Sequence, residues 1–245
     1  PWRKTKNPYR ILVSEIMLQQ TQVDRVKPYY AGWLTKFPTV KALAGASLKD
    51  VLIAWQGLGY NRRAKMLHEA AKELAGMKTF PRTTQALETL RGIGPYTASA
   101  VAAFAFNADT VLIETNIRTA VTYHFFANKK KISDDEVRKI LVQALPKGKS
   151  REWYAALMDY GAHLKRSGVR LNAKAKGYVK QSAFKGSTRE ARGALLKELS
   201  KGSKTAKRLQ GLLGDDRRAD IEKQLAALIR EGMVLKTGPS YRLPF

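Results

Sequence analysis

Cysteine is absent from this chain of 245 residues. Its absence excludes disulfides, zinc ribbons, cysteine nucleophiles and thiolate-held iron–sulfur clusters within the chain. Acidic residues are scarce. The chain has 20 Asp and Glu residues against 45 Lys and Arg residues, which gives a net charge of +25. The 44% of hydrophobic residues suffice for a core, so this charge belongs to a folded protein. It favours phosphates first and anionic membranes second as partners, and argues against basic proteins and cationic ligands.

Long apolar runs are also missing. The most apolar stretch, 98–106, is far shorter than the roughly 20 residues that span a bilayer. No signal peptide or lipidation motif is present, and the first residue, Pro1 instead of Met, leads us to expect a preceding segment. These absences favour a soluble cytoplasmic, nucleoid-associated protein that meets nucleic acid.

Helix start signals recur up to residue 166, and no alternating strand pattern occurs before it. Ser47 and Ser150 each precede a stretch with apolar residues at helical spacing. Ser133, with Glu136 three residues later, has the pattern of a capping box. We therefore predict that residues 1–166 form an all-α domain.

The composition changes near residue 165. Seven basic residues and no acidic one occur in 165–185, namely Lys165, Arg166, Arg170, Lys174, Lys176, Lys180 and Lys185. We interpret 167–186 as a basic linker that contacts a nucleic-acid backbone, the alternative being a solvated tail. Residues 187–245 contain three helical stretches and two short strands around Gly238-Pro239. That pattern is typical of a winged helix-turn-helix domain.

The most specific motif is Leu90-Arg-Gly-Ile-Gly-Pro-Tyr-Thr-Ala-Ser-Ala100. Gly92 and Gly94 permit a tight turn, and Pro95 opens the helix that follows. A Gly-x-Gly turn before a helix N-terminus directs free N–H groups outward, which suits a phosphate. The motif therefore predicts a helix-hairpin-helix DNA-binding element. The alternative is an ordinary helical connection that contains two glycines.

Two carboxylates have surroundings unlike those of solvated acids. Glu114 follows three apolar residues and precedes Asn116 by two positions. It is either a carboxylate that faces a nucleotide sugar or a helix-terminal acid beside Arg118. Glu15 has apolar neighbours at helical spacing. It is either a proton donor with a raised pKa or a buried polar partner of the backbone.

Six further segments follow one another within the first two-thirds of the chain. They are Pro1-Trp-Arg, Asn7-Pro-Tyr, Ser14-Glu-Ile-Met-Leu-Gln-Gln-Thr-Gln-Val23, Phe37-Pro-Thr-Val40, Trp55-Gln-Gly-Leu-Gly-Tyr60 and Leu157-Met-Asp-Tyr-Gly-Ala162. With the hairpin and the two acids, they resemble the helix-hairpin-helix (HhH-GPD) DNA glycosylase superfamily, and within it the adenine-mispair (MutY) branch. The resemblance implies a mainly α fold of two helical subdomains, here followed by a small winged-helix-like α/β module.

The resemblance also implies a mechanism in which the target nucleotide is turned out of the duplex into a pocket. Glu15 matches the family's acid that protonates the adenine ring. Glu114 matches the carboxylate that stabilises the cationic sugar, with Asn116 as its polar partner. Tyr96 replaces the Schiff-base lysine of bifunctional relatives, so we predict a monofunctional enzyme without lyase activity. The residues expected to contact DNA are Gln19, Gln20, Tyr60, Arg62, Gly92, Gly94, Thr97, Lys165, Arg166, Arg170 and Lys174.

Four features depart from the family pattern. Glu114 replaces the usual aspartate, which moves the carboxylate by roughly an ångström. Lys165 takes the position of the first of four cluster cysteines, so we predict no iron–sulfur cluster and no other cofactor. A monovalent cation at the hairpin backbone is the one ion that this prediction allows. Tyr60-Asn61 retains one aromatic residue of an expected pair, and the winged-helix candidate replaces the family's C-terminal domain that reads 8-oxoguanine.

We therefore predict a monomeric DNA glycosylase of base excision repair that removes adenine mispaired with 8-oxoguanine or G in duplex DNA. A thymine or uracil mismatch glycosylase is the nearest alternative, because Tyr96 and Tyr60-Asn61 also suit that activity. A second alternative is a DNA-damage-binding protein whose catalytic site has decayed, which the glutamate at position 114 favours.

Overall fold

The structure is a computed structural model that describes all residues from Pro1 to Phe245. Short loops and 3-10 turns connect its α-helices. The helices are α1 (Pro8–Leu18), α2 (Val23–Lys36), α3 (Val40–Ala44), α4 (Leu48–Ala54), α5 (Arg62–Ala75), α6 (Thr84–Glu88), α7 (Pro95–Phe106), α8 (Thr115–Phe125), α9 (Asp134–Ala144), α10 (Ser150–Arg166), α11 (Thr188–Leu199), α12 (Ala206–Gln210) and α13 (Arg218–Arg230). None of them combines the length and the apolar character needed to cross a membrane.

Side-chain caps explain where several helices begin. The Ser47 hydroxyl accepts a backbone N–H at 3.0 Å at the start of α4. Ser133 and Glu136 form the predicted capping box at the start of α9. Ser150 is the first residue of α10 and does not cap it. Its hydroxyl instead donates to Asp109 at 2.7 Å.

The chain forms two compact units, and each combines segments that are distant in sequence. The first unit consists of Pro1–Glu15 and Thr79–Gln181, and the second consists of Ile16–Lys78 and Ser182–Phe245. The C-terminal residues thus share a compact unit with α2 to α5. The three-part domain division of the sequence analysis stays a prediction.

The core of the first unit is built from α7 to α10 and the loop before α8. Its buried residues are Ala100, Ala103, Leu112, Ile117, Val121, Ile132, Val137, Leu141 and Tyr154. The alanines of α7 allow neighbouring helices to approach closely. Tyr154 donates from its hydroxyl to the Thr110 carbonyl at 2.9 Å and accepts the Leu112 N–H at 3.1 Å. These bonds fix the loop that leads into Glu114.

In the second unit, the C-terminal residues form three helices and a small antiparallel sheet. Its strands, β1 (Lys204–Thr205), β2 (Leu235–Thr237) and β3 (Ser240–Arg242), lie in the order β1-β3-β2. The sequence predicts the β2-β3 hairpin but not β1, because two residues are too few to show an alternating pattern. The Lys49 N–H donates to the Pro244 carbonyl at 3.1 Å, which joins this module to α4. Its assignment as a winged helix stays a prediction.

Candidate active site

Glu15 lies near the end of α1 with 6% of its surface exposed. Its pKa is raised to about 7, and burial away from water is the largest cause. The hydrogen bond from Tyr96 lowers the pKa, the Glu114 carboxylate raises it, and Arg3 lowers it. A carboxyl group with this pKa still carries its proton in many molecules at neutral pH, so it can act as a general acid.

Tyr96 lies in the first turn of α7 and donates from its hydroxyl to Glu15 Oε2 at 3.0 Å. Burial raises the pKa of Tyr96 well above its usual value, and the Glu15 and Glu114 carboxylates add to this. The phenol therefore stays protonated and remains a hydrogen-bond donor. It has no amine and cannot form a Schiff base.

Glu114 caps the N-terminus of α8. Its Oε1 accepts the backbone N–H groups of Asn116 and Ile117, each at 2.7 Å. Its Oε2 accepts the Thr115 hydroxyl at 3.1 Å. The longer glutamate side chain thus folds back onto its own helix, and the amides of the first turn fix the carboxylate.

The two interpretations of Glu114 are compatible. It is a helix-terminal acid, and it also lies close enough to Glu15 and Tyr96 to raise the pKa of both. Arg118 is not its partner, since Arg118 pairs with Asp134 at 2.5 Å. The structure therefore brings together three of the predicted catalytic residues within the first unit.

Helix α10 holds Asn116 from two positions one turn apart. Lys165 Nζ donates to Asn116 Oδ1 at 2.9 Å. A Cβ atom on Gly161 would lie 2.0 Å from the Asn116 carbonyl oxygen, so glycine is required for this approach. Burial lowers the pKa of Lys165, and the Glu114 carboxylate raises it. Asn116 thus supports Glu114 through its backbone N–H, while Lys165 binds its side chain.

Arg3 belongs to this site, although the sequence patterns assign it no role. Its guanidinium binds both carboxylate oxygens of Asp159 on α10, at 2.8 and 3.0 Å. It is also the cation that lowers the pKa of Glu15. The segment Pro1-Trp-Arg was the only available signal, because Asp159 is 156 positions away in sequence.

The predicted hairpin is formed by α6 and α7. Gly92 adopts a φ of +78°, a left-handed conformation that favours glycine. Gly94 is exposed and precedes α7, whose first residue is Pro95. Thr97, predicted to contact DNA, has only 2% of its surface exposed. The exposed part of the hairpin is therefore its backbone at Gly92 and Gly94, and the Thr97 side chain is buried.

Four predicted DNA-contacting residues lie in the second unit. Gln19 and Gln20 follow α1, Tyr60 lies on the loop before α5, and Arg62 is the first residue of α5. Arg63 joins these loops through its guanidinium. Its carbonyl acceptors are Ile16, Met17, Gln19, Leu58 and Gly59. Burial lowers the pKa of Arg63 to about 10, so the group stays charged at neutral pH. It was not predicted, because its acceptors are mostly main-chain atoms.

The basic residues at the end of α10 and beyond it differ in what they bind within the protein. Lys174 donates to the Ala127 carbonyl at 2.7 Å, and Arg170 donates to the Lys165 carbonyl. Lys165 and Lys174 are half-buried, whereas Arg166 and Arg170 are exposed. Of these four basic residues, Arg166 and Arg170 are therefore the more accessible to a DNA backbone.

The residues present do not fit an iron–sulfur cluster. The chain offers no thiolate, and Lys165, at the position of the first expected ligand, donates to an amide oxygen. An ammonium group has no lone pair with which to bind iron. The structure also brings together no three His, Asp or Glu residues that could hold a metal ion. The cation at the hairpin backbone stays a prediction.

This fold and the acids on it define a class of protein. The chain belongs to the HhH-GPD superfamily of base excision DNA repair proteins, whose family model matches residues 13–147. Among curated relatives, it is 42% identical over 167 residues to the adenine DNA glycosylase of Mycolicibacterium smegmatis, covering 66% of this chain and 57% of that protein. It is 43% identical over 130 residues to the adenine DNA glycosylase of Homo sapiens, covering 48% of this chain and 23% of that protein. The chain therefore spans little more than half the length of the first of these relatives and less of the second.

Solved structures share the predicted fold. A thermostable thymine-DNA glycosylase matches with a TM-score of 0.57 and 26% identity, over 66% of this chain and 77% of that one. A trapped endonuclease III–DNA covalent intermediate matches with a TM-score of 0.57 and 21% identity, over 64% and 75% of the two chains. The second similarity concerns the fold alone. The predicted mainly α glycosylase fold is thus confirmed.

Proposed function

We propose that this chain hydrolyses the N-glycosidic bond of adenine mispaired with G or 8-oxoguanine, as a step of base excision repair. The observation that carries the proposal is the buried Glu15 carboxyl, with a pKa of about 7 and a 3.0 Å hydrogen bond from Tyr96. These properties suit a general acid that works near neutral pH. The 42% identity to an adenine DNA glycosylase supports adenine as the base.

In the proposed reaction, Glu15 donates its proton to a ring nitrogen of the flipped adenine. The bond between sugar C1′ and the base then breaks, its electron pair goes to the base, and positive charge develops on the sugar. The Glu114 carboxylate, fixed by two helix amides at 2.7 Å, stabilises this charge. Water adds to C1′ and returns a proton to Glu15.

The proposal includes neither a lyase step nor an iron–sulfur cluster. A lyase step needs an amine at the sugar, and Tyr96 supplies a phenol. The absence of cysteine in residues 1–245 and the Lys165–Asn116 hydrogen bond support a site that works without the cluster. The exposed backbone before α7 suits a DNA phosphate. We place the enzyme on cytoplasmic DNA as a monomer.

Two alternatives each have an observation in their favour. The similarity to a thymine-DNA glycosylase, at 26% identity, favours removal of thymine or uracil from a mismatch with G. The use of Glu114 as a helix cap favours a DNA-damage-binding protein whose site has decayed, since capping alone accounts for the residue.

One experiment separates the three functions. The full chain is incubated with duplexes that carry A opposite 8-oxoguanine, A opposite G, T opposite G and U opposite G, and alkali then cleaves abasic sites. We expect strand breaks at adenine only. Breaks at T or U support the first alternative, and binding without breaks supports the second. Breaks without alkali contradict the monofunctional prediction.

A further inference from the structure

The small sheet of the C-terminal module carries a tyrosine between two lysines. In the strand register, Tyr241 of β3 lies opposite Lys204 of β1 and also opposite Lys236 of β2. Residues that lie opposite one another on paired strands project from the same face of a sheet. Neighbouring strands are about 5 Å apart, so the Cα atoms of the two lysines lie about 10 Å apart with the tyrosine between them. We call these three residues the lysine–tyrosine row.

The rest of the protein does not use the polar groups of this row. Lys236 is exposed, and Lys204 and Tyr241 are half-buried. Neither ammonium group has a hydrogen-bond acceptor or an acidic partner within the protein, and the Tyr241 hydroxyl donates to no acceptor. Within the row, the Lys236 ammonium nitrogen lies 6.0 Å from the centre of the Tyr241 ring. Two positive charges and a hydroxyl donor are thus available to a ligand that carries negative charge.

The chain around the row is basic without interruption. Residues 201–208 contain four cations and no acid, and residues 235–245 contain two cations and no acid. The carboxylate that precedes the first of these segments, Glu198, is buried. It pairs with Lys201 at 2.8 Å and with Arg208 at 3.1 Å. One carboxylate offsets only one of these two cations, so no negative charge remains to offset the row.

Helix α13 differs from the sheet in its balance of charge. In the predicted winged-helix pattern, α13 takes the position of the helix whose N-terminal residues enter the major groove. Residues 215–230, which are this helix and the turn before it, contain four acids and four cations. Asp215 and Asp216 are exposed in that turn, and Arg218 pairs with Glu222 at 3.4 Å. The N-terminus of α13 therefore carries acids at the place where the pattern requires an approach to phosphates.

We propose that the C-terminal module binds the backbone of undamaged duplex DNA through the lysine–tyrosine row and not through α13. Each lysine neutralises one phosphate, and the Tyr241 hydroxyl donates to a phosphate oxygen, contacts that hold a protein on DNA without reading its sequence. The chain belongs to a superfamily of DNA repair proteins, which makes duplex DNA the polyanion that suits this face. The inference goes beyond the proposed function, because the contact does not depend on which base is removed.

The test measures how binding depends on salt. Fluorescence anisotropy reports the affinity of the full chain for an undamaged duplex in KCl between about 50 and 200 mM. The logarithm of the association constant falls linearly with the logarithm of the salt concentration, with a slope of about 0.9 for each neutralised phosphate. Lys204→Met combined with Lys236→Met should therefore reduce the steepness of this slope by about 2.

Matched variants separate the sheet from the helix. Arg218→Met combined with Lys223→Met removes the same charge from exposed positions of α13, and we expect it to leave the slope unchanged. Lys204→Arg combined with Lys236→Arg keeps both charges and should also leave the slope unchanged. Glutamine at positions 204 and 236 removes the same charge and serves if the methionine pair does not fold. Tyr241→Phe should weaken binding about 10-fold through loss of one hydrogen bond to a charged group, with the slope unchanged.

Three results of this titration overturn the inference. The first is a slope that the methionine pair on the sheet leaves unchanged. The second is an equal or larger reduction by the pair on α13, which would assign the phosphate contacts to that helix. The third is a Tyr241→Phe protein with the affinity of the wild type, which would contradict the hydroxyl contact.

Two further measurements isolate the inference from its rivals. Phosphatidylserine vesicles replace the duplex in the same titration, and vesicle binding that requires the two lysines, together with duplex binding that does not, would identify a membrane surface and overturn the inference. The undamaged duplex contains no substrate, so the titration tests the row whatever the protein cleaves. A wild-type protein that cleaves none of the adenine duplexes contradicts the proposed function alone.

Discussion

Glu15 in the first unit and Arg63 in the second are both ionisable groups removed from water, and the protein treats them in opposite ways. Glu15 receives one side-chain hydrogen bond, from Tyr96, and its pKa is raised to about 7. Arg63 donates to carbonyl groups of two loops and to the Thr21 hydroxyl at 3.3 Å. A buried carboxyl with few hydrogen-bond donors is reactive because its charge is poorly solvated. A buried guanidinium with many carbonyl acceptors instead stabilises the loops that it joins.

The largest expected effect comes from removing the proton at position 15. Glu15→Gln keeps the size of the side chain and an oxygen for Tyr96, but it provides no acid. The kcat on an A·G duplex should fall by about 10²- to 10⁴-fold. Wild-type activity should also fall as the pH rises above about 7, because Glu15 then loses its proton. Single-turnover assays across pH measure both the rate of the variant and the pH dependence of the wild type. A Glu15→Gln protein with the wild-type rate would show that Glu15 is not the acid.

The same substitution should change how stability depends on pH. The Glu15 pKa rises from 4.5 to about 7 on folding, so its contribution to stability is fully present below pH 4.5. This contribution is lost as the pH rises through 7. A shift of this size corresponds to about 3 kcal/mol. Urea unfolding at acid and alkaline pH should show Glu15→Gln gaining stability relative to the wild type as the pH rises. A difference that is constant with pH would contradict a buried acid.

Arg63 provides the opposite case. Arg63→Met leaves several loop carbonyls without a donor and should lower the free energy of unfolding by about 3 kcal/mol. Arg63→Lys keeps the charge but reaches fewer acceptors, so it should recover only part of this loss. Because the pKa of Arg63 is about 10, both losses should be the same at acid and neutral pH. Urea unfolding of the two variants checks this, and a loss that varies between acid and neutral pH would contradict the comparison.

The sequence motifs identify the acids, but they do not show which groups the acids meet. Glu15 and Tyr96 each lie in a recognisable segment, yet they are 81 positions apart. Their hydrogen bond depends on tertiary packing, which local patterns do not encode. The helix cap formed by Glu114 could be predicted, because an acid directly before a helix caps it whatever its distant neighbours, whereas its action on a sugar stays a prediction.

The second unit was harder to predict for the same reason. The helices of residues 187–245 could be recognised by their apolar spacing, but the sequence order suggests a separate module after a linker. In the structure, Ser182–Phe245 shares a compact unit with Ile16–Lys78. Two of the hydrogen bonds that join these segments, from Lys65 to the Glu231 carbonyl and from the Lys49 N–H to the Pro244 carbonyl, end on main-chain acceptors. Every residue has such an acceptor, so the sequence pattern does not reveal these bonds.

A smaller effect should follow from a methyl group on α10. Gly161→Ala adds a Cβ atom that would lie only 2.0 Å from the Asn116 carbonyl oxygen. The helices must move apart, and the free energy of unfolding should fall by about 2 kcal/mol. Gly193→Ala is the matched control, because Gly193 also lies within a helix and a Cβ there meets nothing within 4 Å. That variant should gain up to about 1 kcal/mol. Equal effects of the two substitutions would contradict the close approach of α10 to α8.

The smallest expected effect concerns Lys165, which the sequence analysis assigns to DNA contact and the structure joins to Asn116. If its ammonium positions the first turn of α8, Lys165→Met should lower kcat about 10-fold, as expected for loss of one charged hydrogen bond, and leave KM unchanged. If it binds a DNA phosphate, KM should rise instead, and the salt dependence of binding should weaken.

The 2.9 Å bond to Asn116 leads us to expect the change in kcat. Lys165→Arg keeps a donor within reach of the amide oxygen and should restore most of the rate. Arg166→Met is the matched control, since Arg166 is the exposed neighbour on α10 and should alter KM without altering kcat. A Lys165→Met protein with a raised KM and an unchanged kcat would show that Lys165 contacts DNA instead of positioning Asn116. The carboxylate of Glu114 would then be fixed by its helix amides and the Thr115 hydroxyl without help from Lys165.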